Sequence, residues 1–175
     1  MCIRDRVRYA DDFVVLCRKG RGAEVYRRLK LWLERRKLKL NEEKTRVVNF
    51  EEDGLEFLGF QLSWRKGRSG RKYPHCEPSA KSAHKLREAV REETGRDTLW
   101  KQPEEVIRRI NQRMRGWSGY FHYNNSTRVF TKLQWYVEGR VGLWLWKKHA
   151  KTGSRYAPEY TRKQLKERYG LYRMP

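Results

Sequence analysis

Cysteine is scarce in this chain of 175 residues: Cys2, Cys17 and Cys76 are all there are, in no paired spacing. An odd, scattered count excludes a disulfide framework and points to a reducing, cytoplasmic setting. There is no CxxC or HxxxH. His75, Cys76 and His84 lie near one another in sequence, but a structural zinc site wants four well-spaced ligands, so none is expected. Long apolar runs and a signal-peptide pattern are also missing, which weakens an anionic membrane surface as partner. No internal repeat or low-complexity tract is visible. Acid is scarce as well, with 21 Asp and Glu against 42 Lys and Arg, for a net charge of +21.

That excess speaks of partners rather than of fold. A polyanion is implied, and nucleic acid leads because its closely spaced phosphates release counterions on binding. Disorder is the bland account of high charge. It fails here, because seven Trp, ten Tyr and six Phe are spread along the chain. They supply a core, and some have the chemistry to stack on bases.

The chain begins with strand-like patterning. Val7–Tyr9 and Phe13–Cys17 read as two strands, the second apolar enough to be buried on both faces, with Tyr9, Ala10, Asp11 and Asp12 at the turn between them. From Ala23 to about Lys37, Val25, Leu29, Trp32 and Leu33 recur at helical spacing, predicting a helix that packs on the sheet. TRVVNF (Thr45–Phe50) and LEFLGFQLS (Leu55–Ser63) read as further strands, with a hairpin turn at Asp53-Gly54. WRKGRSGRKYP (Trp64–Pro74) has five basic residues and no acid. It predicts a flexible, solvated connector and a domain boundary.

Beyond Glu77 the pattern turns helical. Ser79 is placed to cap a helix that runs to about Glu93 and stops at Gly95. Pro103, Glu104 and Glu105 open a second helix, with Val106, Ile110, Met114, Trp117 and Phe121 as its apolar stripe. NNST (Asn124–Thr127) breaks the pattern. It also matches a glycosylation acceptor, but reads here as capping chemistry, with Ser126 or Thr127 opening a third helix. That helix carries Phe130, Leu133, Val137, Val141 and Trp144. A weaker amphipathic segment spans Pro158–Tyr169. From Ser79 onward there are 22 basic and 9 acidic residues.

Asp11 and Asp12 pose the chemical question, since adjacent carboxylates repel unless something offsets them. They suit an acid/base pair with one raised pKa, or Mg2+, a hard cation that takes oxygen ligands and substrate phosphates. Two-metal phosphoryl transfer uses such ions to activate one oxygen and stabilise another. A solvent-facing turn is the plain alternative. A basic chain with an acidic pair favours nucleotidyl transfer on nucleic acid.

At these residues the chain resembles a known family. YADD (Tyr9–Asp12) between apolar strands resembles the catalytic motif of reverse transcriptases, in the form typical of group II intron-encoded reverse transcriptase/maturases. LKLNEEKTRVVNF (Leu38–Phe50) resembles the next block, and LEFLGFQLS resembles the FLGF block near the primer terminus. Ile110–His149 resembles the maturase domain, also called X or thumb. The resemblance implies an α+β fold: a partial antiparallel palm sheet with a packed helix in residues 1–64, a basic linker in 65–78, and a small helical thumb/maturase bundle in 79–175. It implies Asp11 and Asp12 as Mg2+ ligands and Lys44 as a proton donor near the incoming dNTP, against an ordinary surface lysine. Tyr9 and Ala10 would line the nucleotide and primer end, with Phe57, Leu58, Gly59 and Phe60 as primer grip. Leu58 and Phe60 also suit sheet core.

The implied partners are intron RNA and an RNA–DNA primer–template. Arg65, Lys66, Arg68, Arg71 and Lys72 of the linker are expected to bind RNA, as are Arg108, Arg109, Arg113 and Arg115, off the apolar stripe of the second helix. Trp117, Tyr120 and Phe121 suit core packing better than base stacking. Lys147, Lys148 and His149 suit a helix C-terminus.

The sequence also departs from the family. A third carboxylate is needed from an earlier strand, and Asp5 is too close to serve. Met1–Arg6 lacks strand patterning and is expected to be foreign or junctional sequence on a truncated frame. The chain is therefore expected to be the C-terminal part of an RNA-directed DNA polymerase with maturase function, inactive alone. The alternative is a non-catalytic RNA-binding module. A half-palm would expose apolar sheet surface and self-associate.

Overall fold

A computed structural model describes residues 5–149 and 160–175. Cys2, the first part of Met1–Arg6 and the start of the Pro158–Tyr169 segment lie outside them. The fold is mixed α+β, with small antiparallel sheets and separate helices. The chain divides into two compact units. One holds the residues through Phe57 together with Leu62–Pro74; the other holds Leu58–Gln61 together with His75–Pro175. No helix among the described residues is long and apolar enough to cross a membrane.

The first unit opens on an antiparallel ribbon, β1 (Asp5–Tyr9) and β2 (Asp12–Leu16), in register from Asp5 opposite Leu16 to Tyr9 opposite Asp12. β1 thus reaches into the stretch expected to be non-strand. Ala10 and Asp11 make the turn. Ala10 sits at φ +50, a left-handed conformation that costs a residue with a Cβ about 1–2 kcal/mol. Arg8 Nε donates to the Ala10 carbonyl at 2.8 Å and helps hold it. The ribbon is not buried on both faces as its apolar run suggested. Phe13, Val14 and Val15 are half-buried, and Val7, Tyr9 and Leu16 are exposed.

Helix α1 (Gly22–Glu34) forms where its periodicity placed it, but it has no buried residue. Leu31 and Trp32 face solvent, Trp32 at 48% exposure, so the expectation of a packed helix is corrected. Thr45–Phe50 forms no strand. Its β-branched residues find no ladder partner, and the segment runs as irregular chain, where Val47 crowds Gly22.

β3 (Leu55–Phe57), β4 (Phe60–Lys66) and β5 (Lys72–Pro78) form a sheet in that order. The supposed flexible connector is therefore mostly strand. Phe60, Leu62 and Trp64 alternate with Gln61, Ser63 and Arg65, a strand period that continues into the basic run. Gly67 N–H donates to the Arg71 carbonyl at 2.9 Å, and Gly70 lies at φ +77. This is the three-residue hairpin loop with a left-handed last residue, a position that suits glycine.

The second unit is helical. α2 (Ala80–Glu93) is capped by Ser79, whose hydroxyl accepts from Ser82 N–H. A 3-10 turn (Arg96–Thr98) follows, then α3 (Pro103–Phe121) with proline in its first turn, then α4 (Thr127–His149). The stripes read from sequence on α3 and α4 face the core: Val106, Ile110, Met114, Phe121, Phe130, Leu133, Val137, Val141 and Trp144 are buried and Trp117 packs against them partly buried, while Leu86 and Val90 of α2 complete the cluster. Ser126 does not cap α4 with its side chain. Its hydroxyl donates to the Phe121 and Tyr123 carbonyls and closes the end of α3. α5 (Arg162–Glu167) is a capping-box helix on Thr161 and Gln164, shorter than expected.

The last residues strap the bundle. Asn111 donates to the Gly170 carbonyl at 2.8 Å and accepts from Tyr172 N–H at 2.7 Å. Gln134 accepts from Met174 N–H at 3.1 Å, and Leu171 and Met174 are buried.

The FLGF block also docks on this unit. Leu58 and Gly59, at φ +50 and +80, make a two-residue turn. The Gly59 carbonyl accepts from Ser79 N–H at 2.7 Å and from the Ser82 hydroxyl at 2.9 Å, and the Phe60 ring lies 4.8 Å from that of Phe121. A Cβ on Gly59 would meet Ser82 Oγ at 2.7 Å and Phe121 at 3.1 Å. Gly59→Ala is therefore expected to destabilise the protein by about 1–3 kcal/mol. Urea titration would read this, and an unchanged midpoint would contradict it.

Candidate nucleic-acid interface

Two kinds of candidate residue are described, acidic and basic, and the structure treats them differently. Asp11 and Asp12 are both exposed, Asp11 in the turn and Asp12 at the first position of β2. Among the described residues no group of three or more His, Cys, Asp or Glu is arranged to hold a metal. Asp11 and Asp12 offer two adjacent exposed carboxylates, hard oxygen donors of the kind Mg2+ takes together with waters and substrate phosphates. Tyr9 and Ala10 flank the acids in the same ribbon. Lys44 is exposed in a turn, where its backbone N–H donates to Asn41 Oδ1 at 3.2 Å. Burial pushes the Cys76 thiol above its ordinary pKa, which disfavours the thiolate a metal would need.

Phe57, Leu58, Gly59 and Phe60 are half-buried, and the contacts of the last three are those that dock the turn. In the β4–β5 hairpin, Lys66, Arg68, Arg71 and Lys72 are exposed, with no ion pair to any described acid, and Arg65 is half-buried.

On α3 the four candidate arginines separate. Arg109 pairs with Glu105 at 2.6 Å and approaches Glu93 at 3.9 Å. Arg113 pairs with Glu93 at 3.4 Å. Glu93 is a buried acid on α2, so these two guanidiniums offset a charge that would otherwise be left in the core. Arg108 and Arg115 make no ion pair with described acids. They line an open groove of about 560 Å³ with Glu104, Asn111, Arg168 and Tyr169. Arg115 also borders a second groove of about 390 Å³, which includes His122 and Tyr172. Residues 104, 108, 111, 115, 119 and 122 recur at steps of three and four, so both grooves follow one face of α3, about 27 Å long.

Arg168 belongs to this face and was missed by sequence reasoning. Nothing local marks it; only the C-terminal strap brings it to α3. Arg115 lies 5.3 Å from the Tyr172 ring and Arg168 5.5 Å from the Tyr169 ring. In both it is the guanidinium itself that lies near the ring, a cation–π contact at an exposed site. Exposed guanidiniums that make no ion pair with a described acid, two on α3 and one just past α5, suit a phosphate backbone. Of the tempting aromatics, Phe121 is buried and Trp117 is packed against the core. Tyr120 is exposed, and its hydroxyl donates to the Leu58 carbonyl at 3.2 Å.

The family model described as "Group II intron, maturase-specific domain" matches residues 83–168. No curated protein matches the chain. The matched span runs from α2 through α5 and contains Arg108, Arg115 and, just past α5, Arg168. It relates the helical part of the chain to group II intron maturases and supports a maturase role in RNA splicing.

Proposed function

We propose that this chain binds structured RNA through the α3 face, as the maturase and thumb portion of an RNA-directed DNA polymerase that assists intron splicing. The carrying observation is the coincidence of the maturase-specific match with exposed arginines, on α3 and just past α5, that make no ion pair with a described acid. The exposed cations of the β4–β5 hairpin would add phosphate contacts. Primer–template and dNTP would be partners of the complete enzyme, acting in the cytoplasm. There Asp11 and Asp12 would supply two carboxylates for Mg2+, and a further one would come from elsewhere. The exposed apolar residues of the β1–β2 ribbon fit a surface that a fuller palm would cover, and fit self-association without it.

A non-catalytic RNA-binding module is the second reading, favoured by the two-carboxylate donor set. Combined Asp11→Asn and Asp12→Asn are expected to leave RNA affinity within about twofold, since each removes only a like charge from a polyanion's path. In the same preparation the chain alone is expected to give no primer extension with Mg2+ and dNTPs. Extension that disappears in Asp11→Asn would overturn the view that these acids are insufficient. Failure to bind any structured RNA would remove both readings.

A further inference from the structure

The loop between α2 and α3 is pinned by one face of α4. Arg140 Nη2 donates to the Thr94 carbonyl at 3.1 Å, Trp144 Nε1 to Thr98 Oγ1 at 3.0 Å, and Lys148 Nζ to the Leu99 carbonyl at 2.7 Å. These donors are spaced four residues apart, so they stand one above the other on the helix. Thr98 is buried, with its hydroxyl 2.8 Å from the Gly95 carbonyl and 3.0 Å from that of Glu93. Lys101 N–H closes on the Thr98 carbonyl at 3.0 Å. The chain is thus held on both sides of Trp100, at the Leu99 carbonyl and the Lys101 N–H, yet the ring itself is 77% exposed.

A singly exposed apolar side chain is ordinary; a tryptophan projected from a fixed loop is a different object. Trp32 and Trp135 are also exposed, but each has an arginine of its own chain close over the ring. Arg36 stacks over Trp32 at 3.8 Å and Arg162 over Trp135 at 4.8 Å. Trp100 has Lys101 Nζ near it, at 5.9 Å. Its loop carries Arg96 and Lys101 against one acid, Asp97, and Lys148 is anchored on the adjacent carbonyl. An apolar protein patch would find charged and polar neighbours at residues 96, 97, 101 and 102. A nucleobase needs a flat ring and nearby cations for its phosphate, and both are here.

We propose that Trp100 is a stacking platform for an unpaired base of the bound RNA, with Lys101 and Lys148 beside the flanking phosphates. This rests on the RNA-binding reading. It adds a second, non-electrostatic contact away from the α3 groove. A fixed backbone and a side chain with two torsions keep the ordering cost low.

The test uses the full chain and two probes: an RNA hairpin with 2-aminopurine in its loop, and a blunt duplex of the same stem. Trp100→Ala and Trp100→Leu are expected to lose roughly five- to a hundredfold in affinity for the hairpin and to leave the duplex unchanged. Trp100→Phe should retain most of the hairpin affinity and the 2-aminopurine quenching. The salt dependence of Trp100→Ala should match that of the unmodified chain. Wild-type binding of both probes with no loss in Trp100→Ala would overturn the platform while leaving RNA binding intact, and would reassign the ring to a protein contact or to none. Equal losses on both probes would also overturn it. Wild-type binding of neither probe would overturn RNA binding itself.

Discussion

Raising monovalent salt from about 50 to about 200 mM is expected to weaken RNA binding by this chain at least fortyfold. Each phosphate neutralised by a cation releases condensed counterions, and log affinity falls by about 0.9 per contact for each decade of salt on a duplex. Arg108, Arg115 and Arg168 alone set a slope near −2.7 by that rule. If the exposed cations of the β4–β5 hairpin raise the contacts to six or more, the loss reaches about a thousandfold. Fluorescence anisotropy with labelled structured RNA would read the slope. A slope near zero would mean that the +21 charge is not what holds the ligand.

Trp144→Ala is expected to cost about 3–5 kcal/mol of stability, the range for deleting a large buried aromatic. Trp144 is among the largest fully buried side chains, and its indole N–H is the central one of the three α4 donors into the loop. Its loss opens a cavity and frees the Thr98 hydroxyl from its α4 donor, so the effect combines packing with a broken polar anchor. Trp144→Phe keeps most of the packing and loses the donor, for a cost of about 1 kcal/mol beyond the volume change. Denaturant unfolding, followed by near-ultraviolet circular dichroism, would separate the two. A loss below about 1 kcal/mol for Trp144→Ala would contradict the burial described.

The helical unit was legible in the sequence because its signals are local. The stripe from Val106 to Phe121, the Ser79 cap and Pro103 each act over one or two turns, and each forms as expected. The hairpin around Asp11 and Asp12 was legible for the same reason. Where sequence reasoning failed, the deciding partner was far along the chain or was missing. Val47 and Val48 have strand propensity but no ladder to join. Trp64–Pro74 looked like a connector because its composition is basic and glycine-containing. The alternation begun at Phe60 continues through it, and Gly70 supplies the turn conformation the hairpin needs. Helix α1 had the right periodicity, and periodicity alone does not provide a surface to pack on.

The candidate site was legible in kind rather than in membership. Four arginines on α3 were expected to act alike. Glu93, sixteen and twenty residues away, engages Arg109 and Arg113, whereas Arg108 and Arg115 make no ion pair with a described acid. Asn111 and Gln134 hold the C-terminal strap through side-chain amides, and that strap delivers Arg168. No spacing rule connects these residues. Trp100 escaped notice because exposure of an aromatic is a property of packing.

The most direct measurement compares wild type with the combined Arg108→Gln, Arg115→Gln and Arg168→Gln variant, binding structured RNA across a salt series. Glutamine removes the guanidinium charge and keeps part of each side chain's length and polarity. The account predicts an unchanged melting midpoint, weaker binding at low salt, and a log–log salt slope shallower by about 2.7. Equal affinity and equal slope in a folded variant would contradict the assignment of RNA binding to the α3 face.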